Sequence, residues 1–545
     1  MSDSPATIAD PIRAGLARGW RVLDASTLTD DRALEADVVI VGTGAGGGTA
    51  AEILSAAGLS VVLVEEGPLR SSSDFRMRES DAYPELYQES AARRTRDKAI
   101  AVLQGRCVGG GTTVNWTSSF RTPAATLAHW QREYGLAGFG SADLAPWFER
   151  MEARLSIAPW AVAPNANNAA LARGAARLNV SSGTIRRNVK GCWNLGYCGM
   201  GCPTNAKQSM LVTSIPAALE RGATLITRAR ALAFTWHGER IESLTCAAMD
   251  ARGTTPTARR VVVRARVYIA AGGAIGTPAL LLRSRVPDPY GVLGRRTFLH
   301  PTLVSAAIMP ERIDGYSGAP QTVYSDQYLD TLPPDGPVGF KLEAPPIHPL
   351  LTAITLPDHG GQHAQRMREL PRLQVVLALL RDGFHPDSPG GRVTLASDGT
   401  PVLDYPLTPY LWEGARRAFV AMADIQFAAG AKEVMPVHGN GPAYTTPAAA
   451  RAAIASFDLR PLATPVVSAH VMGGCAMGSD PHRAVCDTDG RHHQIANLHV
   501  CDGSLFPTSI GANPQLTIYA VAARLATQLT GARPGASREG RRERD

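Results

Sequence analysis

Two short, uninterrupted apolar runs stand near the start of the chain, Val38–Val41 and Val61–Val64. Continuous β-branched quartets of this kind mark strands buried on both faces, as in a parallel sheet. Between them Gly42, Gly44 and Gly47 set out G-x-G-x-x-G, and an amphipathic stretch from about Gly46 to Ala57 reads as a helix. The first glycine permits a tight turn, the second lets a pyrophosphate approach the backbone, and the third lets helix pack on strand. The helix N-terminus, with unpaired N–H groups, suits the phosphates. Glu65, 23 residues after Gly42, ends the second run where a carboxylate can bond ribose hydroxyls. Val261–Ala270 is a further strand-like run, and Gln515–Ala526 continues as an apolar helix. From Pro371 to Pro406 apolar runs alternate with DSPGG and SDGTPVLDY, which is hairpin rather than strand–helix–strand spacing. Ile12, Leu16 and Trp20 recur at helical spacing with Arg13, Arg18 and Arg21 between them. A short helix packed on the body is expected there, with a membrane-surface helix as the alternative.

Composition narrows the class. The 545 residues are 45% hydrophobic and 19% charged, which describes a globular chain of two to four domains. Net charge is +7, but no lysine or arginine run interrupts the body, so no nucleic-acid partner is expected. The basic stretch Arg533–Arg544 reads as a solvated tail, residues 531–545. Eight cysteines are too few for a disulfide scaffold. The pattern of a secretory signal is lacking and no apolar stretch reaches about 18 residues, so a cytoplasmic protein without a transmembrane segment is expected. A peripheral seat on the inner membrane is the alternative.

Other segments extend the reading. Gly105–Asn115 (GRCVGGGTTVN) is a second glycine-rich stretch, which a nicotinamide enzyme would not need. GAIGTPALLLRS, LGRRTFLHP, HVMGGCAM, VCDGSLFP and Asn513-Pro514 follow in order. With GTGAGG and VEEGP, this series resembles the glucose–methanol–choline (GMC) oxidoreductases, FAD-dependent enzymes of alcohol oxidation, over residues 36 to 530. The resemblance implies an α/β fold: a glutathione-reductase-type FAD-binding Rossmann domain from residues 36–130, 203–310 and 480–530. A substrate domain with an antiparallel sheet would take 131–202 and 311–479, and 1–35 would be an N-terminal extension. It implies FAD contacts at Gly109, Gly110, Thr112, Asn115, Asp502, Gly503 and Pro514, besides Gly42, Gly44, Gly47 and Glu65.

The chemistry expected is hydride transfer from an alcohol to flavin. Removing the hydroxyl proton suits a neutral imidazole, and the family's catalytic positions fall on His470 and Asn513. His300 and His499 also lie in family motifs, with loop packing and strand position as their expected roles. Val114 stands where covalently flavinylated relatives carry histidine, which implies non-covalent FAD. Gly474 replaces the usual threonine of the catalytic motif. Cys192, Cys198 and Cys202 follow the spacing C-x5-C-x3-C-P. Their stretch resembles the long-chain (fatty) alcohol oxidase branch. It also resembles FAD-dependent sugar dehydrogenases, where such cysteines hold a 3Fe-4S cluster. Packed thiols or a disulfide are the alternatives. The expected substrate is a primary alcohol, long-chain aliphatic or aromatic. A sugar or polyol dehydrogenase is the rival, along with a flavin-containing lyase and a silent FAD-binding subunit. Oxygen, a quinone or a cytochrome would accept the electrons.

Overall fold

The computed structural model describes residues 8–439 and 441–531. One eight-stranded sheet is centred on Arg32–Val41, which pairs in parallel with Val61–Val64 on one side and with Pro256–Ala270 on the other. Its apolar quartets Val38–Val41 and Val61–Val64 are all buried, as their composition predicts. Pro256–Ala270 is long enough to take a further parallel partner, Leu498–Val500, and to start the antiparallel ribbon Arg240–Met249 and Ala229–His237. The helices Ala45–Ala56 and Gln515–Leu529 pack on each other. Thus the two ends of the chain meet at this sheet.

A second eight-stranded sheet runs Ile100–Val102, Val466–Ser468, Thr302–Ile308, Leu373–Leu380, Phe340–Glu343, Val323–Ser325, Gly183–Thr184, with Glu433–Pro436 beside Thr302–Ile308. It is antiparallel apart from Ile100–Val102, which lies parallel to Val466–Ser468. One face packs on the helix Pro409–Ala428 through Leu303, Leu342, Val376 and Ala378. The other face carries Val304, Leu377 and Leu379. Strand alternation puts Lys341 and Glu343 on that second face, where they pair directly with Leu379 and Leu377. The hairpin expected after Pro371 is present as Gly391–Leu395 and Pro401–Asp404.

Several expected boundaries move. Within the segment read as an N-terminal extension, Arg21–Asp24 is an edge strand of the first sheet, pairing with Thr224–Thr227. Four residues with charged ends give too short an apolar signal to be noticed. The helix Pro11–Ala17 packs against Ser214–Glu220 with Ile12 fully covered. Ile100–Val102 and Thr302–Ile308, counted with the nucleotide domain, belong to the second sheet. The helices Ala124–Tyr134 and Ser141–Arg154 fall partly or wholly within 131–202, yet bury Trp130, Leu144 and Phe148 in the nucleotide domain's core. The expected tail from Ala532 lies outside the described residues.

Candidate active site

The glycine motif does what its spacing requires. Gly42 has φ +100°, and a Cβ there would meet the Ala271 carbonyl oxygen at 2.2 Å. A Cβ on Gly47 would lie 2.0 Å from the Gly42 carbonyl oxygen, so strand and helix touch through backbone alone. Gly44 differs: a Cβ there meets nothing within 4 Å. Gly110, with φ +52°, closes over it, its own Cβ position 2.9 Å from the Gly44 Cα, and Gly111 faces open space as well. Two glycine-rich turns from separate segments thus leave a lane free of side chains.

Thr43 ties this lane together. Its hydroxyl donates to Glu65 Oε2 at 2.6 Å and accepts from the Gly109 N–H at 3.0 Å. Glu65 also accepts from the Thr43 and Gly67 N–H groups. Burial raises its carboxyl above the usual range against these bonds. Thr112 holds the second glycine turn to Met210, accepting from its N–H at 3.0 Å. Asp502 accepts from Gly273 N–H, Thr277 and Ser504, fixing the turn that begins at Gly503. Pro514 caps the Gln515–Leu529 helix. Asn115 donates to the Gln515 side chain at 2.7 Å across 400 residues of sequence. The expected nucleotide-facing residues therefore come from three chain segments that share one network.

His470 and Asn513 are brought together, with Nε2 and Nδ2 3.4 Å apart. His470 Nδ1 lies 3.2 Å from His300 Nδ1, and His300 Nε2 accepts the Gly511 N–H at 3.0 Å. This sequence of contacts assigns the tautomers. A neutral His300 that accepts at Nε2 carries its proton on Nδ1 and donates it to His470 Nδ1. His470 then carries its own proton on Nε2. Burial, and then the ammonium of Lys341, lower the His470 pKa to about 4, so the ring is neutral at physiological pH. The Asn513 amide donates to Glu343 Oε2 at 3.2 Å. His470 Nε2–H and the second amide hydrogen of Asn513 are thus two neighbouring donors, suited to hold one oxygen atom.

His300 does more than the expected loop packing. It adopts φ +45°, a left-handed conformation that costs energy for any residue with a side chain. Asp382 holds it there, accepting from the N–H groups of Leu299 and His300 and from the Tyr405 hydroxyl. Ser468 bridges the two histidine segments, donating to Leu299 and accepting from the His470 N–H. Gly474 has φ +94°, which explains glycine rather than threonine at that position. His499 sits on the Leu498–Val500 strand, as expected.

Glu343 was not legible as a site residue. It is completely buried, accepts at Oε2 from Gln321 and Asn513, and leaves Oε1 without a partner. Burial, partly opposed by Lys341 and Asn513, raises its pKa to about 7. Lys341 is itself buried, bonded to Asp326 at 2.6 Å and set over the rings of Phe120 and Tyr324. A lysine and a glutamate two residues apart inside FKLE were the available signal.

The three loop cysteines gather near two buried cations, but each thiol has its own partner. Cys198 Sγ accepts from Arg187, Cys202 Sγ from the Lys207 N–H, and Cys192 Sγ from the Asn194 N–H. All eight cysteines are free, and among the described residues no three His, Cys, Asp or Glu side chains form a group able to hold a metal ion. The expected 3Fe-4S cluster therefore finds no ligand set at Cys192, Cys198 and Cys202.

Family models described as GMC oxidoreductase match residues 83–302 and 386–522. The chain belongs to the GMC oxidoreductases. It is 29% identical to the long-chain-alcohol oxidase FAO4B of Arabidopsis thaliana, over 91% of this chain and 67% of that protein. An uncharacterized GMC-type oxidoreductase of Mycobacterium tuberculosis is 30% identical over 90% of this chain and 75% of its own length. Among solved structures, Aspergillus oryzae formate oxidase superposes with a TM-score of 0.66 at 15% identity, covering 92% of this chain and 99% of that one. Pyridoxine 4-oxidase superposes at 0.65 and 18% identity, covering 91% and 99%. FAD is the dinucleotide of this family, and the side-chain-free lane at Gly44 and Gly111 fits its pyrophosphate. Among the described residues no helix of this GMC oxidoreductase is long and apolar enough to cross a membrane.

Proposed function

We propose that this GMC oxidoreductase oxidises a primary alcohol, long-chain aliphatic or aromatic, to the aldehyde. FAD, held by Gly42, Gly44, Gly47, Glu65 and the Gly109–Asn115 turn, supplies the hydride acceptor. The observation that carries the reading is the donor pair at His470 Nε2 and Asn513 Nδ2. Two donors on one oxygen stabilise the alkoxide character that develops as the C–H bond breaks. Val304, Leu377 and Leu379 lie on the sheet face that carries Glu343 and pack in a buried apolar cluster with Met435 and Val437. The similarity to long-chain-alcohol oxidases favours a hydrocarbon chain or ring over a sugar. The same similarity favours oxygen as the outlet for electrons.

Anaerobic mixing with a panel of primary alcohols tests the reading. Bleaching of the flavin by decanol or benzyl alcohol, and its recovery in air, is the expected result. A lyase or a silent FAD-binding protein would stay yellow. Faster bleaching by glucose or a polyol would move the substrate to sugars. Because Val114 offers no attachment point, acid denaturation is expected to release all FAD, and a yellow precipitate would contradict non-covalent binding.

A further inference from the structure

We propose that the cleft between Tyr134, Arg295, Arg296 and Arg483 binds a small phosphate-type oxyanion, either inorganic phosphate or a phosphate monoester. The cleft is lined by none of the residues assigned to FAD or to the alcohol. Three arginines, His482 and Tyr134 face it, and no aspartate or glutamate does. Its volume is about 220 Å³. Pockets for drug-sized ligands run to roughly 300–1,000 Å³, so the occupant is small.

The strand is built to put two of these charges in one place. Arg295 and Arg296 are consecutive, and consecutive residues of a regular strand point to opposite faces. Here Arg295 pairs with Arg392 and Thr297 with Gly391, which makes Arg296 the extra residue of a β-bulge, with φ +57°. A bulge re-aims a side chain, and at this one both arginines line the same cleft. Arg483 reaches it from the turn that starts at Asp480. Thr297 and Phe298, directly after the bulge, pair with Gly473 and Met472. The cleft therefore adjoins the strand pair that leads into His300 and out of His470.

The positive charge has no counterpart. Arg296 and Arg483 lie over the same Tyr134 ring, at 5.7 and 5.0 Å from its centroid. A ring face attracts a cation without neutralising it. Arg296 Nη2 donates to the carbonyls of Gly383 and Pro507, and Arg483 Nη1 to that of Glu133, which are uncharged acceptors. Arg296 Nε is buried with no acceptor at all. Among the described residues none of the three arginines enters an ion pair. The acids beside the cleft in sequence are engaged elsewhere, Glu133 with Arg132 and Asp480 with the His482 N–H. Like charges gathered in this way repel, and a bound anion relieves them. That all three are arginines favours phosphate, whose oxygens the planar guanidinium fork meets in pairs.

Calorimetric titration of the FAD-loaded enzyme with inorganic phosphate, against sodium chloride at matched ionic strength, tests the site. FAD already fills the dinucleotide lane, so phosphate bound there does not confuse the reading. One saturable site is expected, with a melting temperature that rises as it fills. R295Q and R483Q, compared at equal FAD content, should each weaken phosphate about 10- to 100-fold, the usual worth of a hydrogen bond to a charged group. R483K, which keeps the charge but not the fork, should fall between R483Q and the unchanged enzyme. R296Q also removes bonds to Gly383 and Pro507, so the other two variants carry the test if it fails to fold. Phenyl phosphate binding more tightly than inorganic phosphate would identify an ester as the occupant, and weaker binding the free ion. Phosphate that binds no better than chloride, or equally well in R295Q and R483Q, would overturn the proposal.

Discussion

At the nucleotide end of the site, every acidic side chain is answered by the chain itself. Glu65 is met by Thr43 and Gly67, and Asp502 by Gly273, Thr277 and Ser504. At the end proposed to face the alcohol, Glu343 and Asn513 each keep a buried oxygen with no partner. The first region is finished before any ligand arrives, so its work is to present backbone. The second is held in a polar, incompletely bonded state that a substrate oxygen completes. The two regions thus rest on opposite hydrogen-bond conditions.

The largest effects should come from breaking the finished region. Gly47→Val is expected to yield no FAD-loaded protein, because its side chain collides with the Gly42 carbonyl. Gly44→Val should fold, since nothing in the protein lies within 4 Å of the new Cβ, but lose FAD occupancy. The 450 nm to 280 nm absorbance ratio and the apo melting temperature distinguish the two. If Gly44→Val bound FAD normally, the lane would not be the pyrophosphate path.

Changes at the alcohol-facing end should spare FAD and slow turnover. His470→Ala is expected to cost roughly 100- to 1,000-fold in kcat, as for loss of one preorganised donor to a developing oxyanion. Asn513→Ala should cost less, on the order of 10- to 100-fold, because His470 still donates. Anaerobic reduction rates at saturating alcohol measure both. An Asn513→Ala loss exceeding that of His470→Ala would reverse the ranking of the donors.

Thr43→Val sharpens the comparison most gently. It removes the hydroxyl that links Glu65 to Gly109, at about 1–3 kcal/mol for the unsatisfied buried groups. A melting temperature a few degrees lower, with wild-type kcat once FAD is saturating, is expected. A change in kcat instead would mean that the two regions are mechanically coupled.

What could be read in the sequence follows the same division. Gly42 and Gly47 were legible because backbone collisions forbid any other residue there, and a requirement of that kind shows as spacing. The motifs pointed to His470 and Asn513 together, and the structure places their side chains 3.4 Å apart. The contact of Glu343 with Asn513 was not legible, because Asn513 arrives from 170 residues further along the chain. His300 was underrated for a similar reason: its importance lies in a contact with a ring 170 positions away. The cysteine spacing misled in the other direction. It measures distance along the chain, whereas ligation needs thiols aimed at one point. Domain limits moved because short strands such as Arg21–Asp24 and Ile100–Val102 join whichever sheet offers a free edge.

The cradle for the dinucleotide begins at Gly42, yet a Cβ on Gly46 would strike the Cys501 carbonyl oxygen at 1.6 Å, and the sheet takes its last parallel strand from Leu498–Val500. The pocket therefore has a birth order. At about 5–20 residues per second of synthesis, the first glycine turn waits tens of seconds for the segment that closes it. From the moment Tyr268–Ala270 is made, that apolar strand edge stays open until Leu498–Val500 arrives. A chain cut short before residue 498 is expected to lose the cofactor, however intact its fingerprint, because the segment that packs on Gly46 is missing.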